Sequence, residues 1–386
     1  MEGWEINLGG DVIQLSNEKC KANDFSSSFP CVELDCISQA TGTITGTIDI
    51  SEIKGVRNKF TPGQILYGKL RPYLNKYARP EFDGACSTEI WVLDTKDKNK
   101  LINDYLFYLV QSKDFRIAAC TMAGTKMPRA SWDVIENTNF LLPPLAEQER
   151  IVEILSEADA AITAAETLLQ SKNNELKALQ QKLFAPIYSG RNHRLDEFLS
   201  LRNERIIPHD DIPLFSLTIE EGVCPKSERY DREHLVSDTS AKKYKVVYPD
   251  DIVFNPQNVR WGAIARSYQS APVCLSPIYE VMHVIEERGD PDFFDHFLTC
   301  DRQVAYYAAN TEGSLIERMT FKADAMMSLK FNIPSIEEQR NIAQALECYR
   351  AHIGHQNSLV TALKKQKRGL VQQLLTGKLR VSEKVQ

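Results

Sequence analysis

The chain reads as α+β, laid out as a tandem repeat in which two α+β domains alternate with two long helices. Three observations predict that plan. The phrase "LPPLAEQERI" at residues 142–151 returns as "IPSIEEQRNI" at residues 333–342, a shift of roughly 190 residues. Each phrase is followed by a residue repeating at every seventh position, apolar throughout the first copy and at all but Lys367 in the second, the pattern of a coiled-coil seam. Each is preceded by about 140 residues of short apolar runs, turn signals and aromatics, which read as strands with a few helices.

Taken in order, residues 1–141 form the first α+β domain. In it "TPGQILYGKL" (61–70) is a proline-initiated turn entering a strand, and residues 103–120 read as helical. Residues 142–190 are the first helical region. Its seam is Leu155, Ile162, Leu169, Leu176 and Leu183, interleaved by Ile151, Ala158, Ala165, Lys172 and Leu179. Residues 191–332 form the second domain, where "YPDDIVFNPQ" (248–257) answers the strand entry of the first. There Gly313, Ser314, Arg318, Thr320 and Phe321 repeat the spacing of Gly124, Thr125, Arg129, Ser131 and Trp132. Residues 333–386 are the second helical region, with Leu346, Ile353, Val360, Lys367 and Leu374 on a more polar seam. Ser335 with Glu338 makes a capping box at its start, where the first copy has Pro144 and Glu147. Gly190 and Gly377 sit where the helices should stop. Stripes this narrow bury against one another, against a partner's helix, or against the chain's own domains.

With 386 residues and a net charge of −6, the chain can build real cores and is not a uniformly basic nucleic-acid binder. Its start lacks a basic, then apolar leader, and no run of about 18 apolar residues occurs, so a cytoplasmic protein is expected. The nine cysteines never fall in a C-x-x-C pair and read as reduced, buried thiols. Motifs for catalysis fail on inspection. "GQILYGKL" has Leu70 where a phosphate-binding loop needs a magnesium-binding hydroxyl. Asp83 and Asp94 make only a loose nuclease-like acidic set, "DPDF" (290–293) has no glycine-rich cofactor loop before it, and the histidines lack ligand spacing.

Charge distribution is more informative than net charge. Residues 54–80 carry Lys54, Arg57, Lys59, Lys69, Arg71, Lys76 and Arg79 with no acidic residue, interleaved by Phe60, Tyr67, Tyr73 and Tyr77. Such a stretch suits a phosphate-tracking surface, the alternative being a solvated basic strand pair. The second half gathers Lys242, Lys243, Lys245, Arg260 and Arg266 with Asn255, Gln257, Asn258 and Trp261, diluted by Asp250 and Asp251. Asn and Gln are the side chains that read adenine.

The hinges "FLLPPLAEQERIVEIL" and "FNIPSIEEQRNIAQAL", with "YGKLRPYLNK", the two G-[ST]-x-x-x-R-x-[ST]-[WF] turns and the closing "LLTGKLR", resemble the DNA specificity subunits of bacterial type I restriction–modification systems. The resemblance covers essentially the whole chain. It implies two target-recognition domains separated by two helices in an antiparallel coiled coil, each domain reading half of a split double-stranded DNA site. It implies no catalysis and no cofactor in this chain, with S-adenosylmethionine, ATP and magnesium on partners: two adenine-methylating modification subunits and motor-nuclease restriction subunits. Its motifs point to Lys69, Arg71, Tyr73, Lys76, Lys126 and Arg129 as DNA contacts in the first domain. In the second they point to Asn255, Gln257, Asn258, Arg260, Trp261, Arg266 and Arg318. The seam residues Leu155, Ile162, Leu169, Leu176, Leu183, Leu346, Ile353, Val360 and Leu374 are the expected partner-binding positions.

Overall fold

The structure, a computed structural model, describes residues 3–121, 127–226, 242–312 and 319–381. The chain divides into two units, residues 1–165 with 359–386 and residues 166–358. Both contain helices and strands, and each unit includes half of each long helix.

In the first unit a four-stranded antiparallel sheet runs in the order Ile13–Leu15, Ile90–Thr95, Ile65–Gly68, Tyr77–Ala78. Side chains alternate between its faces, and both faces are buried. Ile65, Tyr67, Trp91 and Leu93 enter a core shared with the helical segments Asn103–Leu109, Lys113–Cys120 and Trp132–Glu136. Leu66, Ile90 and Val92 point the other way, into a core with Val32, Phe60 and Cys86. That second core is covered by a five-stranded sheet whose Pro30–Val32 and Gly84–Cys86 strands are parallel. Double burial is why this segment is a near-continuous apolar run and not a clean alternation.

The second unit repeats this frame. Its sheet runs Leu199–Arg202, Glu280–Val284, Ile252–Phe254, Ile264–Arg266, also antiparallel and in the same order of connection. Ile252, Phe254, Met282 and Val284 face a core with the helices Pro291–Thr299 and Asp301–Ala309, whereas Val253 and Val281 face Val247 and Leu275. Each unit also pairs a strand near its start with the one before the recurring phrase: Glu5–Leu8 with Asn139–Leu142, and His193–Arg194 with Lys330–Phe331. Outside this frame the copies diverge. The second unit has a three-stranded sheet and a hairpin, Phe215–Thr218 with Gly222–Pro225, in place of the five strands.

One side chain of the recurring phrase makes equivalent bonds in both copies. Gln148, fully buried, donates through Nε2 to the carbonyls of Lys100 (2.6 Å) and Pro143 (2.9 Å) and accepts from the Ile102 amide (3.1 Å). Gln339, equally buried, donates to Arg288 (3.1 Å) and Pro334 (3.0 Å) and accepts from the Asp290 amide (3.0 Å). In both copies a glutamine in the first turn of the long helix pins the backbone that starts the shorter helix pair, and satisfies groups that would otherwise be orphaned.

The two long helices span Leu145–Phe184 and Ile336–Leu375, 40 residues each. The second starts at the expected capping box: Glu338 accepts from the Ser335 amide (3.1 Å), and the Ser335 hydroxyl accepts from the Glu338 amide (3.4 Å). In the first, Glu147 has a different task, accepting from Trp4 Nε1 (2.9 Å) and from Arg380 Nε and Nη2 (2.9 Å each). Burial works against the Glu147 charge, yet the bonds from Arg380 and Trp4 prevail and hold its carboxyl below the usual range. Gly377 is left-handed (φ 66°) and stops the second helix, as a glycine after a helix should. Gly190 is extended; the first helix ends instead on a 3-10 turn containing Pro186.

The seam is used largely at home. Ile151 and Leu155 lie in the first unit's core with Val371 and Leu374, while Leu176 and Leu183 pack on the second unit's core alongside Leu346. Leu155, Leu346 and Leu374 are completely buried, so the expectation that they contact a partner does not stand. Ile162 and Val360 are buried too, and Leu169 and Ile353 are half-buried. Six of the nine cysteines are buried, Cys36 and Cys120 are half-buried, and Cys348 is exposed. Among the described residues no helix is long and apolar enough to cross a membrane.

Candidate nucleic-acid interface

In the first unit the strand Ile65–Gly68 leaves the sheet into a loop that turns back at Tyr77. Arg71 and Asn75 are both left-handed (φ 51° and 49°) and bracket a 3-10 turn, Pro72–Leu74. Arginine in that conformation costs about 1–2 kcal/mol, so its surroundings must hold it there. They do: the Arg71 amide donates to the Pro128 carbonyl and the Ala130 amide to Lys69, both at 2.8 Å, with Leu70 and Arg129 bridged between. Two motifs more than fifty residues apart in sequence thereby become one ridge.

On that ridge the expected contacts have unequal standing. Arg71 and Tyr73 are exposed and Lys69 is half-exposed, and neither cation has a side-chain hydrogen bond or ion pair among the described residues. Lys76 is turned inward: its ammonium donates to the Leu34 carbonyl (2.7 Å) and lies 3.8 Å from Asp35, which removes it as a phosphate contact. Arg129 is exposed and donates through Nε to Glu89 (3.0 Å). Lys126 lies outside the described residues. The wider basic run is neutralised from elsewhere in the chain: Lys59 meets Glu18 (2.6 Å), Arg57 meets Glu33 (3.2 Å), and Arg79 meets Asp104. Of its aromatics, Phe60, Tyr67 and Tyr77 are core, which leaves Tyr73.

The corresponding loop of the second unit follows Phe254. Asn255 is buried and structural, its Oδ1 accepting from the Gln257 amide (3.0 Å) and its carbonyl from the Val259 amide (2.7 Å). It is not a base reader. It shapes a turn, closed by left-handed Gly262 (φ 94°), on which Gln257 and Asn258 are exposed. Trp261 is 62% exposed, with the Arg260 guanidinium 5.1 Å from its ring centroid. Arg266 is a correction: its side chain is 11% exposed, held by Asp250 (2.6 Å) and by Asp292. Arg318 lies outside the described residues. In each unit the turn rests on the second helix of the pair, Lys113–Cys120 or Asp301–Ala309.

The sequence did not single out a partly buried charge cluster between the second long helix and the helix Pro291–Thr299. Arg350 on the long helix meets Asp295 (2.7 Å), Tyr268 and His296 Nδ1 (3.1 Å), while His296 Nε2 lies 2.8 Å from Glu347. A guanidinium only donates, so Nδ1 accepts and the proton of the neutral ring sits on Nε2. Burial, then Arg350, pushes His296 down to about 4, and burial pushes Glu347 up.

Residues 58–178 match the family described as "Type I restriction modification DNA specificity domain". Over those residues the chain is similar to the type I DNA specificity family. It is 22% identical to the type I restriction enzyme MjaVIII specificity subunit of Methanocaldococcus jannaschii, over 98% of this chain and 94% of the relative. It shares its fold with a chain from a solved structure titled for complex assembly and conformational transition of the type I R-M system (TM-score 0.58, 16% identity, 98% and 99% of the two chains). The same holds for the type I restriction-modification S subunit of M. genitalium (TM-score 0.56, 11% identity, 96% of each chain).

Proposed function

We propose that the chain is the DNA-reading subunit of a type I restriction–modification complex, and that its two units present separate recognition surfaces to the two halves of a split site. One observation carries this reading. The same antiparallel sheet occurs twice, and in both copies the loop between the same two strands presents exposed polar or cationic side chains with an aromatic ring. Lys69, Arg71 and Tyr73 serve the first half-site, and Gln257, Asn258, Arg260 and Trp261 the second. Cations on the loops position the duplex through phosphates, and the amides read base edges. The finer plan of two target-recognition domains (1–141 and 191–332) separated by two helical regions (142–190 and 333–386) in an antiparallel coiled coil is part of this proposal. So are the docking of modification and restriction subunits on the helices and a cytoplasmic site of action. The chain itself is read as non-catalytic, with S-adenosylmethionine, ATP and magnesium bound by the partners.

The test is reconstitution. The chain with its modification subunits is expected to methylate adenine within one bipartite sequence, and the chain alone, given duplex, magnesium and S-adenosylmethionine, to do nothing. Methyl transfer or cleavage by the chain alone would sink the non-catalytic reading. Equal binding of site-bearing and random duplexes across a salt titration would favour a helical scaffold instead.

A further inference from the structure

Two large aromatic rings stand exposed at the same place in the two units. Tyr73 is 56% exposed on the 3-10 turn Pro72–Leu74, and Trp261 is 62% exposed on the 3-10 turn Val259–Trp261. Both turns join the same two strands of the repeated sheet, and both lean on the second helix of the pair. A single exposed aromatic needs no explanation. Two in the same loop, borne by different residue types, do.

The turns are stiff. Pro72 and Val259 are buried beneath them, and left-handed residues close them, Arg71 and Asn75 on one and Gly262 on the other. A ring held this way loses little freedom on binding, since its anchor is already ordered. The neighbours indicate what it meets. Lys69 and Arg71 flank Tyr73, while Arg260, Gln257 and Asn258 flank Trp261. Cations and amides around a ring match a polyanion with base edges, not an apolar protein surface.

We propose that Tyr73 and Trp261 are equivalent contacts, each ring packing against the base edges of its own half-site and fixing the depth at which the flanking side chains enter the groove. This rests on the DNA-reading function proposed above. It adds a shared, sequence-tolerant anchor in each half, distinct from the differing polar residues that select bases.

The experiment uses the full chain assembled with its modification subunits and a duplex bearing the methylated site mapped in the host genome. Tyr73→Ala and Trp261→Ala are each expected to weaken binding about 10- to 100-fold, the range that loss of one contact to a duplex base edge gives. Tyr73→Phe and Trp261→Phe should recover most of it. Trp4 and Trp91 are buried and Trp132 is half-buried, so Trp261 is this chain's most quenchable tryptophan, and subtracting the emission of the Trp261→Phe assembly removes that of the modification subunits. The Trp261 fluorescence should become shielded from acrylamide on adding the site duplex, a change absent in Trp261→Phe. Alanine variants that fold, by unchanged melting, and bind within twofold of the parent, with Trp261 still open to acrylamide, would overturn the proposal while leaving the DNA-reading function intact. A parent complex that does not prefer the site duplex over a scrambled one would overturn both.

Discussion

Gln148 and Gln339 carry the clearest lesson at the scale of single residues, because each closes three buried backbone groups with one amide. Gln148→Glu keeps the acceptor for Ile102 but can no longer donate to Lys100 and Pro143. With roughly 1–3 kcal/mol at stake for each buried group left unpaired, it should lower unfolding free energy by about 2–4 kcal/mol in a urea titration. A change below about 0.5 kcal/mol would show that the clamp is ornamental, on the scale of ordinary surface substitutions. That these glutamines recur was legible in the sequence; that they act as clamps was not, since their partners are backbone groups that no side-chain pattern reveals. The same blindness explains the misassigned contacts. Residues 54–80 look unopposed, but their acids come from Glu18, Glu33 and Asp104, brought in by folding. Arg71 and Arg266 should therefore separate cleanly. Arg71→Ala should cost about 1–3 kcal/mol of DNA binding, at one half-site if it touches a base and on all sequences alike if it touches phosphate. Arg266→Ala should instead lower the melting temperature, because it leaves Asp250 and Asp292 without their cation. Loss of discrimination at both half-sites from Arg71→Ala would contradict separate reading.

Among the elements, the long helices were the most legible, since a heptad is visible in one dimension and the capping box fell where expected. What the heptad hides is which surface covers each position. Asp159 and Arg350 occupy equivalent places, 191 residues apart, yet Asp159 meets Tyr108 (3.0 Å) and Lys367 (2.5 Å), while Arg350 meets Asp295 and His296. Leu155→Asp, which places a charge in a closed core, should destabilise the first unit by about 3–5 kcal/mol, in the range of a buried uncompensated charge. Leu168 and Leu359, 44% and 46% exposed on the helices, should tolerate Asp without loss of folding. If the helices dock the modification subunits, those two changes together should cut assembly in gel filtration, and normal assembly would remove the helices from that role. The partly buried cluster also sets a pH dependence. His296 is held neutral, far below its unfolded value of 6.5, so the unfolded chain binds more protons at this site between those values. Its contribution is complete above about pH 6.5 and is lost as pH falls toward about 4. Glu347, raised by burial, works in the opposite sense at the acid end of that range. His296→Gln should flatten the fall in melting temperature between pH 6.5 and 4.5, and an unchanged slope would count against the neutral histidine.

For the whole molecule, the decisive fact is that each long helix is continuous through the division between the units, with residues 145–165 and 359–375 on one side and 166–184 and 336–358 on the other. Forty residues at 1.5 Å apiece make roughly 60 Å of helix, more than one DNA turn of about 34–36 Å. If each unit reads its own half-site, the bases between the halves go unread, and helix length becomes the variable that sets their number. Four extra residues amount to about one turn, or ~6 Å, and enter a heptad seam as a tolerated stutter. Inserted into both helices near Ala165 and Leu359, where the chain passes from one unit to the other, they should widen the unread gap by one or two base pairs. The half-site sequences should stay as they were, because the ridge at Lys69–Tyr73 and the turn at Gln257–Trp261 lie far from the insertions along the chain. Sequencing methylated adenines in cells that carry the lengthened chain reads both quantities at once. An unchanged gap would mean that helix length does not set the spacing, and altered bases within either half-site would mean that reading and spacing are not separable.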